Sequence, residues 1–478
     1  MKKVKPFILP FLVCAAFFCA YQYKILSSIP FVGDLGRDAY EIAKISFGKL
    51  TLLGPKASFG GMYTAPYFFY LFVPAFLITG RSILGILLFN AFLFALSLGV
   101  GVYFIQKKYG SLCAVAVSII LGCVPFFVLS ARNPGNGFSH IPFFILFLLI
   151  TYFTNFNKIS SLNVFILGLF LGIIFSTQFA YGVVALPLLL LVFLLLKNKK
   201  QFFIFLTGIA SAFLPLLFFE IKNHFVMLKN TFIDKSYLSF VNNTNLPNSV
   251  SLNKNIFLNA LFLDTQMKSY LLLSPLFILG IILFMSLRLP KKRERYFILT
   301  AFLSYLFLII ALRFQYSPHY FLPFLTLLSF VFLLSLLNDR LGHYILFALA
   351  IVILFFFPKQ YYAPATPSYQ TVEKRVEETV TKDWINKSDR FNVLLIRLDD
   401  APTPAGNEYR YFLLKKGLKT DSEFLYSSSQ KLLVFSEKKS VDFETLKGWE
   451  IEQFDYKKVQ QIYSFHPDAG MTVYLLQK

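Results

Sequence analysis

Three carboxylates, Asp34, Asp38 and Glu41, stand in the stretch FVGDLGRDAYE, directly after the first long apolar run. In a helix starting at Gly33, Asp34 and Asp38 lie four residues apart on one face, with Arg37 beside them. Two chemistries suit such a pair: holding a metal ion, or taking a proton from an acceptor hydroxyl. Desolvation under an apolar loop would raise the basicity of a carboxylate placed there, as a general base near neutral pH requires. The plainer reading is a helix N-terminus carrying acids that match its dipole. Glu41 belongs to that solvated face.

A second set is basic and aromatic: Arg132, Lys222, His224, Lys229, Arg313 and His319, accompanied by Tyr63, Tyr67, Tyr70, Tyr181, Tyr316 and Tyr320. A guanidinium pairs bidentately with phosphate, Lys or His adds charge, and Tyr adds hydrogen bonds, which is what a lipid-linked phosphate or diphosphate needs at headgroup depth. Taken singly, Tyr63 or Lys229 reads as an aromatic belt or general attraction to anionic lipid. The run RFQYSPHY (313–320) points further, because Arg313 and His319 flank one short turn and Tyr320 follows. Glu220 and Lys222 close an apolar run and read either as a solvated helix end or as a substrate contact. His140, after ARNPGNGFS, is either a pore-side ligand or a packed histidine. His343 and His466 read as structural. The four cysteines all fall inside apolar runs, as small core hydrophobes and not as a disulfide framework or metal site.

The elements that must carry these residues are membrane helices. Of 478 residues 56% are hydrophobic and only 15% charged, well off the globular norm. Apolar runs fall near 7–26, 83–105, 111–130, 138–154, 162–177, 179–196, 201–220, 268–288, 296–313, 319–337 and 341–357. They predict an α-helical polytopic membrane protein of about eleven spans. The first run is long enough to stay as an anchor and lacks a small-x-small cleavage site.

The last 120 residues hold 18 of the 46 Lys and Arg and 17 of the 25 Asp and Glu, leaving 28 basic and 8 acidic side chains to the first 358. With the N-terminus (Lys2, Lys3, Lys5) inside, the connections QKKYG, NFNKISS, KNKK, RLPKKRER and NDRLG are also inside, short and basic. That is the cytoplasmic-loop bias, and no nucleic-acid partner is read from the charge. The loops 27–82, 131–137, 221–267 and 314–318 and the tail then lie outside, together with Asp34, Asp38, Glu41, Glu220, Asp234 and Asp264. The segment APYFFYLFVPAFLITG (65–80), with Pro66 and Pro74, suits an interfacial or re-entrant helix, because counting it as a span would invert every later loop. Two domains are expected: a membrane part, 1–358, whose first outer loop is 27–82, and a nearly neutral α/β domain, 359–478. In the latter, helices near 370–387 and 407–417 alternate with strands at 391–398, 431–436 and 471–477.

The stretches GDLGRDA (33–39), GKLTLLGP (48–55), GGMYTAPYFFY (60–70), FFEIKN (218–223) and PHYFLP (318–323) resemble the landmarks of GT-C integral-membrane glycosyltransferases. Within that class they are similar to the protein mannosyltransferase-like family that includes the aminoarabinose transferases and the Rgt-type lipopolysaccharide sugar transferases. The resemblance covers roughly 1–340 in order and spacing. It implies an inner-membrane enzyme that moves a sugar from a polyprenyl-phosphate donor to a lipid, glycan or protein acceptor on the outer face, among membrane lipids. The acid of the first outer loop, here Asp34, is then the catalytic centre, Asp38 the second acid, and Arg313 and His319 contacts to the donor phosphate. Arg37, Arg132, Glu220, Lys222 and Tyr320 complete the candidate substrate contacts. Two departures matter: Leu35 follows Asp34 where many relatives have adjacent acids, and ARNPGNG carries no acid. A divalent metal is the one cofactor left open, with no metal site assigned.

A flippase or transporter would carry ionisable residues at mid-span and symmetric halves, and neither pattern is present. An oligosaccharide polymerase or ligase would share the basic outer loops but would not require the acids so close to the first span.

Overall fold

A computed structural model describes residues 5–57, 61–196, 198–234, 275–289, 291–311, 322–381, 384–398, 402–403, 406–423, 425–438, 440–446, 448–465 and 471–478. Contacts divide the chain into two compact units. The first holds residues 1–23, 51–71 and 87–361, the second 24–50, 72–86 and 362–478. The C-terminal residues thus share their unit with two pieces of the first loop.

The first unit is helical throughout. Each apolar run of the sequence that falls on described residues is a helix, among them Lys5–Gln22, Ile83–Tyr109, Ile141–Phe153, Ser161–Thr177, Lys292–Ala311, Leu322–Leu336 and Arg340–Phe355. Among the described residues, Ile83–Tyr109 alone is a single helix long and apolar enough to cross a membrane. Two further crossings are possible by length if each bent pair is one span: Ser111–Cys123 with Pro125–Arg132, broken by 69°, and Lys199–Ser211 with Leu214–Lys222, broken by 53°. Pro125 and Pro215 sit at these breaks, where a proline at the first turn of a new helix forfeits no hydrogen bond.

The polar connections are built to start helices. Ser160 accepts the N–H of Asn163, Asn198 that of Gln201, and Asp339 that of Gly342, each satisfying a donor that a helix N-terminus leaves open. Helices Ser161–Thr177 and Lys199–Ser211 touch backbone to backbone. A Cβ on Gly168 would lie 2.1 Å from the Phe205 carbonyl oxygen, and one on Gly208 2.3 Å from that of Phe165. Such small-residue crossings let the two backbones approach closely.

Three of the basic connections meet at one end. Lys108 Nζ donates to the Tyr152 hydroxyl (3.0 Å), which donates to Glu294 Oε1 (3.0 Å), while Arg293 donates to the carbonyls of Thr151 and Thr154.

The second unit is built on a five-stranded sheet: β1 (Phe391–Ile396), β2 (Pro402–Thr403), β3 (Lys431–Ser436), β4 (Lys458–Phe465) and β5 (Met471–Gln477), in the order β2-β1-β3-β5-β4. Only β1 and β3 run parallel. Their continuous apolar sequences, FNVLLI and KLLVFS, are buried almost throughout, as central strands covered on both faces must be. Helix Asn407–Lys415 follows the expected position closely, Tyr369–Val380 ends seven residues before the expected 387, and β2, β4 and the helix Trp449–Phe454 are additional. Arg410 is buried but satisfied, donating to the Thr420 hydroxyl (3.0 Å), the carbonyls of Asp421 (2.7 Å) and Val393 (3.1 Å), and Asn392 Oδ1.

The first-loop pieces are sewn into this unit. Phe31 donates its N–H to the Pro367 carbonyl at 3.0 Å, and its ring meets Tyr369, Tyr411 and Phe412 edge-on at 5.5–5.7 Å between centroids. The helix Asp34–Ser46 lies against Asn407–Lys415, and the hydroxyls of Tyr40 and Thr420 are 3.1 Å apart.

Candidate active site

The helix of the three acids begins at Asp34, after Gly33, whose φ of +56° a side chain would resist. Arg37 then ties the pair together. Its Nη1 donates to Asp34 Oδ1 at 2.8 Å, and its Nη2 and Nε donate to Asp38 Oδ1 at 2.7 and 2.9 Å. The two carboxylates sit in unlike surroundings. The Asp38 side chain is 2% exposed, that of Asp34 65%. Burial works against the Arg37 charge, but Asp38 and then Asp34 outweigh it and hold the guanidinium above its ordinary range. The arrangement therefore offers one open carboxylate, held in place by a cation that a buried carboxylate anchors. Glu41 pairs with Lys44 at 2.7 Å on the helix surface, as expected of a solvated turn.

Two candidate substrate contacts are occupied by the chain's own backbone. Arg132 is fully buried and donates from Nη1 to the carbonyls of Tyr21 (2.6 Å) and Tyr23 (2.9 Å). These carbonyls close the helix Lys5–Gln22, where the last turn lacks intrahelical donors. Asn90 does the same for the helix that carries Arg132, donating to Ser130 O and Ala131 O.

Glu220, 5% exposed, accepts the N–H groups of Met227 and Leu228, each at 3.0 Å. The chain reaches that position through His224 and Phe225, both in the left-handed region at φ +54° and +59°. Such conformations are uncommon for these residue types, and the double cap fixes the turn that contains them. Arg132 and Glu220, both expected as substrate contacts, thus bond backbone groups of the chain itself. The sequence concealed this, since their partners are carbonyls and amides, which carry no residue signature.

Lys222 is exposed beyond Glu220. His140 is packed, its Nδ1 3.1 Å from Asn136 O and its ring edge-on to Tyr181 at 4.8 Å. Tyr70 bonds the backbone of Thr51 through both the carbonyl (2.9 Å) and the N–H (3.0 Å). Arg313, His319, Tyr320, Tyr316, Asp264 and His466 lie outside the described residues. Among the described residues, no group of three or more His, Cys, Asp and Glu stands close enough to hold a metal ion.

No protein-family model and no curated protein sequence matches the chain. Solved structures do. ArnT from Cupriavidus metallidurans, bound to undecaprenyl phosphate, matches over 97% of both chains with a TM-score of 0.63 at 12% identity. The chain has the fold of ArnT. The apo state of ArnT matches equally, at TM-score 0.63, 11% identity and 97% of each chain. ArnT is a GT-C aminoarabinose transferase, so the fold implied by the first-loop and later landmarks is the fold observed. The oligosaccharyltransferase of Archaeoglobus fulgidus aligns at TM-score 0.41 and 13% identity, over 89% of this chain and 67% of its own. At 12% identity the likeness to ArnT is one of architecture.

Proposed function

We propose that the chain is a GT-C glycosyltransferase of the inner membrane that moves a hexosyl or pentosyl unit from a polyprenyl-phosphate donor to an acceptor on the outer face. The observation that carries this is the match to ArnT over 97% of both chains, in a structure that holds undecaprenyl phosphate. The open carboxylate just after the first apolar helix supports it. In this reading the apolar helices make eleven crossings from an inside N-terminus, and the short basic connections gathered by Lys108, Tyr152 and Glu294 face the cytoplasm.

Asp34 is the base. It takes the proton of an acceptor hydroxyl as that oxygen bonds to the anomeric carbon, and the bond to the polyprenyl phosphate breaks with its electron pair leaving on the phosphate. Arg37 orients Asp34, and Asp38 holds Arg37, so Asp38 is a positioning residue. The departing phosphate needs cations, for which Arg313, His319 and Lys222, with Tyr320, are the proposed partners. The acceptor is a lipid, glycan or protein bearing the hydroxyl. A divalent metal, if one takes part, would meet Asp34 as its open ligand.

Transfer by purified Asp34→Asn, assayed with a polyprenyl-phosphate sugar, is expected to fall about 10²–10⁴-fold, the usual contribution of a general base, with an unchanged melting temperature. Full activity of that variant would sink the assignment.

A further inference from the structure

The second unit contains a half-open crevice of about 160 Å³ at the carboxyl ends of the parallel strands β1 and β3. Ligands collect at such ends because loops diverge there and backbone groups lose their ladder partners. One wall is apolar, made by Val32, Pro367 and Leu395. The other carries Arg397 from the end of β1, Glu437 from the end of β3, and Glu408 from the first turn of helix Asn407–Lys415.

These charges are unusual in having so little to do. Glu408 is 5% exposed, yet it accepts only its own backbone N–H. Glu437 accepts the N–H of Leu398 at 3.3 Å, and Arg397 is near enough to draw on the Glu408 charge but, among the described residues, donates no hydrogen bond to either carboxyl. Among the described residues, none of the three enters an ion pair. A buried carboxyl without an outside donor is costly unless something fills the space before it.

The mix of charges selects the occupant. An anion would face two carboxyls, and a cation would face the guanidinium. A hydroxyl both donates and accepts, so a neutral polyol can donate to Glu408 and Glu437 while accepting from Arg397, its ring carbons resting on Val32, Pro367 and Leu395. We infer that this crevice binds a neutral sugar ring. Val32 stands two residues before Asp34, and with the glycosyl-transfer reading the sugar is a unit of a glycan acceptor. The binding itself does not depend on that reading.

The test is saturation-transfer NMR on the full chain in lipid nanodiscs. The probes are methyl α-glycosides of glucose, galactose, mannose and N-acetylglucosamine, alongside ethanolamine and inorganic phosphate. At least one glycoside should bind, with affinity at least tenfold weaker in Glu408→Gln and also in Glu437→Gln, which sits at the half-exposed rim and keeps the test alive should the first variant not fold. Binding should persist in Asp34→Asn. No glycoside bound, equal affinity in the Glu437 variant, or ethanolamine or phosphate bound in place of sugar would each overturn the proposal. If glycoside binding is found but no polyprenyl-phosphate sugar is used, the crevice stands and the transfer reading falls.

Discussion

A Cβ placed on Gly36 would lie 2.9 Å from the backbone nitrogen of Glu408. The helix of the three acids thus meets the helix Asn407–Lys415 through the one residue type without a side chain. Backbone cannot retreat as a side-chain tip can, so Gly36→Ala should lower stability by about 1–3 kcal/mol, the usual range for overpacking. A melting temperature equal to that of the unaltered protein would show that the two helices separate freely.

Asp38 and Arg37 differ from an ordinary surface pair because Asp38 is buried. Asp38→Asn leaves the Arg37 guanidinium with one exposed carboxylate in place of two partners. A loss of roughly 2–4 kcal/mol is expected, from the imbalance that removal of one buried partner creates. Transfer should fall too, through Asp34. Added formate should restore neither, since the site of Asp38 is closed to solvent, and recovery would contradict the burial.

Glu220→Gln keeps the shape of the side chain but removes the charge that two backbone donors share. It should cost about 1 kcal/mol, as the loss of a helix cap does. Donor affinity, measured by titration with polyprenyl phosphate, should change less than twofold. A large change would return Glu220 to the substrate.

Burial pushes the Glu408 carboxyl above its ordinary range, its own N–H and Arg397 draw it back in part, and Glu437 raises it again. A raised carboxyl binds its proton more tightly in the folded than in the unfolded chain. Stability therefore falls as pH rises from about 4, the ordinary glutamate value, through the folded-state value, and is level above it. Glu408→Gln should remove this part of the pH dependence, seen as a flatter melting temperature across the same interval. An unchanged profile would mean that the carboxyl is solvated.

The helices and strands were legible wherever a run was apolar enough, as FNVLLI, KLLVFS and MTVYLLQ show for β1, β3 and β5. Strand β4 escaped because KVQQIYSF is an edge strand whose polar residues leave no alternation to read. At the site, the spacing of Asp34, Arg37 and Asp38 announced their meeting, since all three sit within one turn of helix. What spacing could not announce was which acid would be buried. The helix Asn407–Lys415, which packs on the acid-bearing helix, lies nearly 370 residues further along, and the bonding partners of Arg132 and Glu220 are likewise distant or backbone groups.

The contact between Tyr40 and Thr420 spans 380 residues. At roughly 5–20 residues per second of synthesis, about 20–80 seconds pass between the emergence of the first of these residues and the second. Throughout that interval the helix bearing Asp34 lacks the surface it comes to rest on. A nascent chain thus carries the Asp34–Arg37–Asp38 cluster on an unsupported helix until translation is nearly done.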